Sequence, residues 1–385
     1  MAASPHYDLI VTGAGVLGSF HAYHACRKGL KVLLLEKDSR PSEATVRNFG
    51  QVVPSGMKQG QWQDYGRRSM EIYEEIHRHF DITVRKNGTV YIASDETELA
   101  LLQELAGINR HNDYNSTLLS SADCQQQWPG LKSSYCKGGL FFPGEITVEP
   151  HLMIHRVIAY MQEQLGLTYK PGTLVQFCDY INGKCIAEDN FGNAYTADKL
   201  VICNGRDFRH LFPNLFYASD IEVSKLQMMR TVPFSDFRIR GSVLSGLSIR
   251  RYESFRDCPS YFSLKANETE ELFKKWGIHI LFRQAADGSI IIGDSHEYAG
   301  AAEQDSLGFE INQEINDIIL AEAKQVFDLP RWQIAGYWNG FYAQRKNGEL
   351  FTCEAAPNIH IVTAIGGKGI TAGPGLAEQS IQQLF

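Results

Sequence analysis

The chain has no apolar run approaching the length of a membrane span. Its first residues, MAASPHYDLI, carry neither a basic stretch nor a long apolar core. No signal peptide is evident, and a cytoplasmic protein is the expectation. Basic excess is missing too: 37 Lys and Arg stand against 44 Asp and Glu, a formal net charge of −7. That balance argues against a general nucleic-acid binder, which needs a basic face for phosphates, but leaves room for a local basic pocket. The 8 cysteines include no CxxC and no paired motif. Neither a disulfide framework nor a structural zinc site is expected, and buried free thiols are. There is no internal repeat and no low-complexity tract. What remains is ordinary globular composition, 44% hydrophobic and 21% charged. At 385 residues the chain exceeds one compact core, so two domains are expected.

The most informative stretch spans residues 7–36, YDLIVTGAGVLGSFHAYHACRKGLKVLLLE. Leu9, Ile10 and Val11 form an apolar β-type run that passes directly into Gly13, Ala14, Gly15, Val16, Leu17 and Gly18. A helical pattern follows, stopped at Lys28 and Gly29, and a second apolar run ends at Glu36. This is a strand, a glycine turn, a helix and a parallel strand with an acid at its carboxyl end. Gly13 permits the tight turn, Gly15 lets a pyrophosphate approach the backbone, and Gly18 lets the helix lie close to the sheet. The helix N-terminus offers free N–H groups and the positive end of its dipole. Glu36 is placed to accept both hydroxyls of an adenosine ribose. A dinucleotide site is expected here, since a plain βαβ crossover leaves Glu36 unexplained. His21 and His24 lie on the same helix without further ligand residues around them, which reads as packing or surface, and no metal is expected.

Farther along, TVRNFGQVVPSG holds Thr45, Asn48 and Gly50 in a turn beside the nucleotide crevice. Residues 62–80 carry an apolar helical face of Trp62, Tyr65, Met70, Tyr73 and Ile76. VRKNGTVYIASDETE predicts a hairpin turning at Asn87 and Gly88. A helix over 151–164 ends at Gly166, and an antiparallel meander then runs to a buried strand at 200–203 followed by Asn204 and Gly205. Residues 222–331 are β-rich, including SVLSGLSIRRYES and a hairpin about Asp287 and Gly288, with one helix expected over 307–327. A buried strand at 360–364, a glycine turn at 366–369 and a terminal helix close the chain.

The order of these pieces resembles the FAD-dependent amine oxidases of the D-amino acid oxidase superfamily, in particular the glycine oxidase and sarcosine oxidase branch. The resemblance covers nearly the whole chain. It is carried by the fingerprint with Glu36, by TVRNFGQ and ADKLVICNG, by Arg345 followed by Glu354, Pro357 and Ile359, and by the last glycine turn. TVRNFGQV together with KLQMMRT also looks like a subgroup of proposed FAD-dependent oxidoreductases associated with breakdown of 2-aminoethylphosphonate and related aminophosphonates.

The resemblance implies an α/β fold: a Rossmann-like FAD domain of the glutathione-reductase type, built from 1–80, 150–215 and 335–385. An α+β substrate domain with a large antiparallel sheet, from 81–149 and 216–334, would roof the flavin. It implies cofactor contacts from the fingerprint, Glu36, Lys37, Thr45, Asn48, Phe49, Gly50, Gln51, Val175, Asn204, Gly205, Gly367, Lys368, Gly369 and Ile370. Sarcosine oxidases attach their flavin through a cysteine a little before the binding-arginine region, and 338–342 here holds none, so non-covalent FAD is expected.

The implied substrate is a small amine bearing an anionic group, with oxygen or another electron acceptor as the second partner. Arg345 is the main candidate for gripping the anion, since a guanidinium binds a carboxylate or phosphonate bidentately. Tyr342 is placed to hydrogen-bond the same group or to serve as a packed aromatic, and Arg47 lies in the turn beside the flavin. Lys368 and Gln51 are candidates for tuning the ring; no acid/base pair stands out. Lys225, Arg250 and Arg251 read as surface residues, and Lys346, standing where many relatives have proline, reads as a turn residue. An NAD-linked dehydrogenase and a non-catalytic flavoprotein are the competing readings.

Overall fold

Leu9, Ile10 and Val11 lie at the centre of an eight-stranded sheet and are fully buried. The computed structural model describes residues 5–264 and 271–385. Residues 1–4, at the head of the first expected domain piece, and 265–270, within the expected substrate domain, lie outside it. Five strands of this sheet run parallel, in the order Ile359–Thr363, Ala194–Ile202, His6–Thr12, Val32–Leu35 and Thr168–Lys170. Such strands bury both faces, which is why they read as unbroken apolar runs. Leu9, Val11, Val32 and Leu34 face helices Val16–Arg27, Gln61–His79, Pro150–Gln164 and Gly369–Leu384. Ile10, Leu33 and Leu35 face the opposite way, toward the meander of Val175–Ile181 and Lys184–Asp189.

A second, nine-stranded sheet is almost wholly antiparallel, with one parallel pair between Ser242–Leu244 and Thr89–Ala93. Helix Gln313–Val326 covers one of its faces and helix Glu96–His111 packs against the other. The ribbon Gln51–Val52 with Ile146–Thr147 lies between the two sheets in chain order. The α/β fold with a large antiparallel sheet is thus the one observed.

Several local expectations come out differently. No hairpin forms about Asn87 and Gly88: Arg85 bridges Thr147, and Thr89–Ala93 pairs with Gly138–Phe142 and Ser242–Leu244. Gly88, at φ +80°, passes its carbonyl to Ser242 N–H, so remote partners take the bonds a hairpin would have used. The helix expected over 307–327 starts only at Gln313, because Gly308 has φ +58° and Asn312 caps the first turn by accepting from Glu314 N–H. Of SVLSGLSIRRYES only Ser242–Leu244 is strand; Gly246–Ile249 is a short helix. Residues 335–345, assigned from sequence to the nucleotide domain, instead pair along Ile221–Thr231 in the second sheet.

The eight cysteines are free and seven are buried. His21 and His24 are packing residues: their ring nitrogens bond the carbonyls of Leu17 and Pro374 at 2.8 and 3.0 Å. No helix among the described residues is long and apolar enough to cross a membrane.

Candidate active site

The first strand ends on Gly13, whose φ of +89° suits glycine and whose Cβ, if present, would lie 2.2 Å from the Cys203 carbonyl oxygen. A Cβ on Gly18 would meet the Gly13 carbonyl oxygen at 1.8 Å, so the helix can approach the turn only without a side chain there. Ala14 N–H donates to Glu36 Oε2 at 2.8 Å and Asp38 N–H to Oε1 at 3.0 Å. Burial pushes the Glu36 carboxyl above its ordinary range, against the two N–H bonds that favour its charged form. Val16 N–H, at the helix N-terminus, donates to Thr45 Oγ1 at 2.9 Å, tying the turn to the next loop.

Two cavities open from this turn. One, of about 130 Å³, is lined by Gly13, Glu36, Lys37, Val175, Asn204 and Gly205, among others. The other, of about 830 Å³, lies between the glycine turns and the second sheet. Gly15, Ala44, Thr45, Cys203 and Gly205 line both, so they form one continuous channel. The N-termini of Val16–Arg27 and Gly369–Leu384 both contribute to the larger chamber, each presenting the positive end of a helix dipole.

Polar atoms along the channel lack partners. Thr12 Oγ1 and Asn204 Oδ1 at the small end, and Gln51 Nε2 in the chamber, are buried without a hydrogen bond. Such atoms call for a ligand that supplies the missing partners. A dinucleotide whose adenosine lies by Glu36 and whose other end enters the chamber suits the chemistry of this lining.

Most of the residues singled out from sequence line this channel: Val16, Leu17, Thr45, Asn48, Phe49, Gly50, Gln51, Gly367, Lys368, Gly369 and Ile370 line the chamber. Ala14 and Gly18 stand behind the turn rather than on the channel wall. Lys368 is ion-paired to Glu253 at 3.0 Å and lies over the Trp62 ring, so its charge is already partnered.

The three candidate substrate residues fare differently. Tyr342 is buried on the chamber wall, its hydroxyl 3.3 Å from the Arg47 carbonyl oxygen, and burial raises its pKa. Arg47 does not line the chamber; its guanidinium braces the carbonyls of Ser42 and Asn339. Arg345 sits on the chamber rim, with Nε 2.6 Å from Asp220 Oδ1. Lys225 and Arg250 are not surface residues either. Lys225 is buried and donates to the carbonyls of Leu307 and Glu310, and Arg250 is held by Asp95 and Glu98 at 2.5 and 2.6 Å. Arg251 lines the chamber and meets the Tyr298 hydroxyl at 3.3 Å.

Sequence reading missed the polar group on the chamber roof. His279, Asp294 and His296 line the chamber, and their ligand atoms lie within 4.8 Å of one another. They are the one set among the described residues with a geometry that could hold a metal ion. The hairpin at Asp287 and Gly288 carries only part of the signal: its register, with Leu281 opposite Gly293, would set residue 279 opposite 295, and a one-residue shift beyond Gly293 makes 279 and 294 exchange backbone hydrogen bonds instead.

A sequence profile described as FAD dependent oxidoreductase (DAO) matches residues 8–382. Monomeric sarcosine oxidase of Bacillus sp. (strain B-0618) is 24% identical over 207 residues, 52% of either chain, so the match spans about half that relative's length. One subunit of the opine oxidase of Agrobacterium tumefaciens (strain Ach5) is 22% identical across 96% of this chain and 91% of its own. Among solved structures, L-proline dehydrogenase from P. horikoshii superposes with a TM-score of 0.80 at 17% identity, covering 98% of this chain and 93% of that one. Glycine oxidase from Geobacillus kaustophilus gives 0.76 at 15% identity, covering 99% and 95%. These structural likenesses establish the fold, and the profile decides between the dinucleotides in favour of FAD. With the fingerprint, the continuous channel and a profile that runs almost end to end, the chain belongs to the family of FAD-dependent oxidoreductases.

Proposed function

We propose that the protein oxidises a small amine or amino acid bearing an anionic group, an aminoalkylphosphonate or its N-methyl derivative being the specific substrate class. The observation that carries this reading is the chamber: an FAD-fitting channel opens into a roofed space whose wall combines guanidinium groups with a buried carboxylate. The related proteins named sarcosine oxidase and glycine oxidase act on small amino acids, which supports the amine half of the reading. When bound, FAD supplies the two-electron acceptor for the hydride leaving the amine α-carbon, and hydrolysis of the imine then yields the carbonyl product.

The chain's own residues position and polarise. Glu36 and Asn204 hold the adenosine end, Gln51 offers its free N–H at the chamber floor, and the 366–369 turn caps the far end with backbone N–H groups. Oriented donors of this kind stabilise negative charge as it develops. Of the four arginines that line the chamber, Arg250 and Arg345 are held by carboxylates, and Arg256 is exposed to solvent. Arg251 meets a neutral partner, the Tyr298 hydroxyl, and its guanidinium charge is felt by Asp294, His296 and Tyr252. We therefore place the anion at Arg251, with Tyr342 beside it. Cys353 lines neither cavity, and burial pushes up the thiol of Cys203, which lines both; this supports a flavin held non-covalently. Oxygen or another acceptor removes the electrons afterwards.

The test is anaerobic bleaching of the bound flavin by glycine, sarcosine and 2-aminoethylphosphonate in parallel. Fastest reduction by the phosphonate supports the specific reading. Reduction by glycine or sarcosine alone shifts it to an amino acid oxidase, and bleaching by none of a broad amine panel defeats it.

A further inference from the structure

On the chamber roof, His279 and Asp294 face each other across a hairpin, each backbone N–H donating to the other's carbonyl at 3.1 and 2.7 Å. His279 Nε2 lies 2.6 Å from Asp294 Oδ1, and His296 Nδ1 lies 3.9 Å from the same oxygen. The two imidazoles stack with centroids 5.5 Å apart. Asp294 Oδ1 is sealed from solvent behind the His279 contact. The carboxylate's other oxygen has no partner and is the one left toward the chamber. His296 Nδ1 is instead 3.2 Å from the Gly277 carbonyl oxygen. A carbonyl only accepts, so Nδ1 carries the hydrogen and Nε2 keeps its lone pair.

Asp294 is only 5% exposed, yet it lines the chamber. Burial works to raise its pKa, but the close approach of His279 and the Arg251 guanidinium hold the carboxyl below its usual range. Burial also pushes His296 down to about 3, so its imidazole is neutral. An ionised, buried carboxylate with an unfilled oxygen is costly unless a ligand supplies the donor.

We propose that Asp294, set between His279 and His296, receives the substrate's nitrogen: an ammonium or amine N–H donates to the chamber-side carboxylate oxygen Oδ2 and a second donates to His296 Nε2. This rests on the amine-oxidation reading above and adds which groups recognise the amine end. The ion pair of opposite sense, Arg251 for the anion and Asp294 for the nitrogen, then fixes the direction in which a zwitterionic amine lies. A divalent cation on the same three side chains is the competing occupant. Two ligands at zinc-binding distances stand roughly 3.3 Å apart in a tetrahedral site, wider than the His279–Asp294 contact.

The experiment uses the FAD-loaded protein, read by the flavin absorption shift under anaerobic conditions. The probes are 2-aminoisobutyrate against isobutyrate, and (2-aminopropan-2-yl)phosphonate against isopropylphosphonate. The amine members lack an α-hydrogen and cannot be oxidised; their partners carry the same anion without nitrogen. Wild type is expected to bind one amine member at least about tenfold tighter than its partner, the range for a hydrogen bond to a charged group. Asp294→Asn is expected to bring that ratio within about threefold while leaving the affinity for the nitrogen-free anion unchanged. His296→Gln, a milder change should the first variant fail to hold FAD, is expected to lower the ratio by a smaller factor. A ratio unchanged in a variant that retains FAD overturns the assignment and leaves amine oxidation standing. Absence of any amine preference in wild type, with no amine reducing the flavin, overturns both. Stoichiometric zinc in the purified protein, with the preference lost on chelation, overturns the assignment in favour of the metal.

Discussion

Glu145→Gln should stabilise the protein, and by more as the pH rises. Glu145 is 1% exposed; its Oε1 accepts from Ser55 N–H and from the Tyr114 hydroxyl, both at 2.8 Å. Its other oxygen and Thr89 Oγ1 are both buried without a directed bond. Desolvation by burial raises the carboxyl from 4.5 to about 7, against the bonds that favour its charged form. Because the folded value lies above the unfolded one, the stability linked to this proton is complete below about 4.5 and is lost as pH climbs through 7. A change from 4.5 to about 7 is worth roughly 3 kcal/mol at about 1.4 kcal/mol per tenfold change in proton affinity.

Glutamine keeps the oxygen that Ser55 and Tyr114 use, and it presents an N–H toward the unfilled side beside Thr89. With an unfolding entropy of about 2.1 cal/mol/K per residue over 385 residues, ~3 kcal/mol is a melting shift of about 4 °C. The assay is thermal unfolding of both FAD-loaded proteins by circular dichroism between pH 5 and 8.5. The two curves should lie close at pH 5, separate up to about pH 7 and run parallel above it, the variant melting higher. A difference that does not change with pH, or a variant that melts lower at pH 8.5, refutes the reasoning.

Two further outcomes are expected. Gly18→Ala forces a Cβ to within 1.8 Å of the Gly13 carbonyl oxygen; it should purify with little or no bound FAD, read as the ratio of flavin to protein absorbance. Arg345→Leu should change apparent substrate affinity only a few fold, since Asp220 already holds its guanidinium, whereas Arg251→Met should weaken it ten- to a hundred-fold, the range for charged hydrogen bonds. Steady-state kinetics on whichever amine bleaches the flavin decides between them, and the reverse ranking returns the anion to Arg345.

The nucleotide end was legible because its chemistry is local. Gly13, Gly18 and Glu36 sit on one strand–turn–helix–strand unit, and each has a role the unit alone defines. The same is true of the meander turn at Asn182 and Gly183, which joins two neighbouring strands. Asn87 and Gly88 carry the same local signal, but the strand that follows them finds its partners near residues 140 and 243, which nothing local specifies, and no hairpin turn forms. Arginine roles failed for the same reason. Whether Arg345 or Arg251 is available depends on Asp220, and whether Arg250 is surface or clamp depends on Asp95 and Glu98, all distant in sequence. The roof pair His279 and Asp294 lay out of reach: the Asp287 and Gly288 hairpin was foreseen, but its register sets residue 279 opposite 295, and the shift beyond Gly293 that brings Asp294 there has no local signal.

Glu149 stands at the N-terminus of helix Pro150–Gln164, which packs under the first sheet. Its carboxylate grips the fully buried Arg283 of the second sheet through two bonds of 3.0 and 2.9 Å, with Arg85 and the Ala286 N–H on the same group. Breaking a buried pair of this kind leaves an uncompensated charge and costs about 3–5 kcal/mol. The helix under one sheet and a strand of the other are therefore pinned together at a point outside the chamber, so side chains lining the chamber can change without touching the pin. Fitting larger amines is then a matter of shortening side chains on the roof, with the pin and the nucleotide floor left as they are.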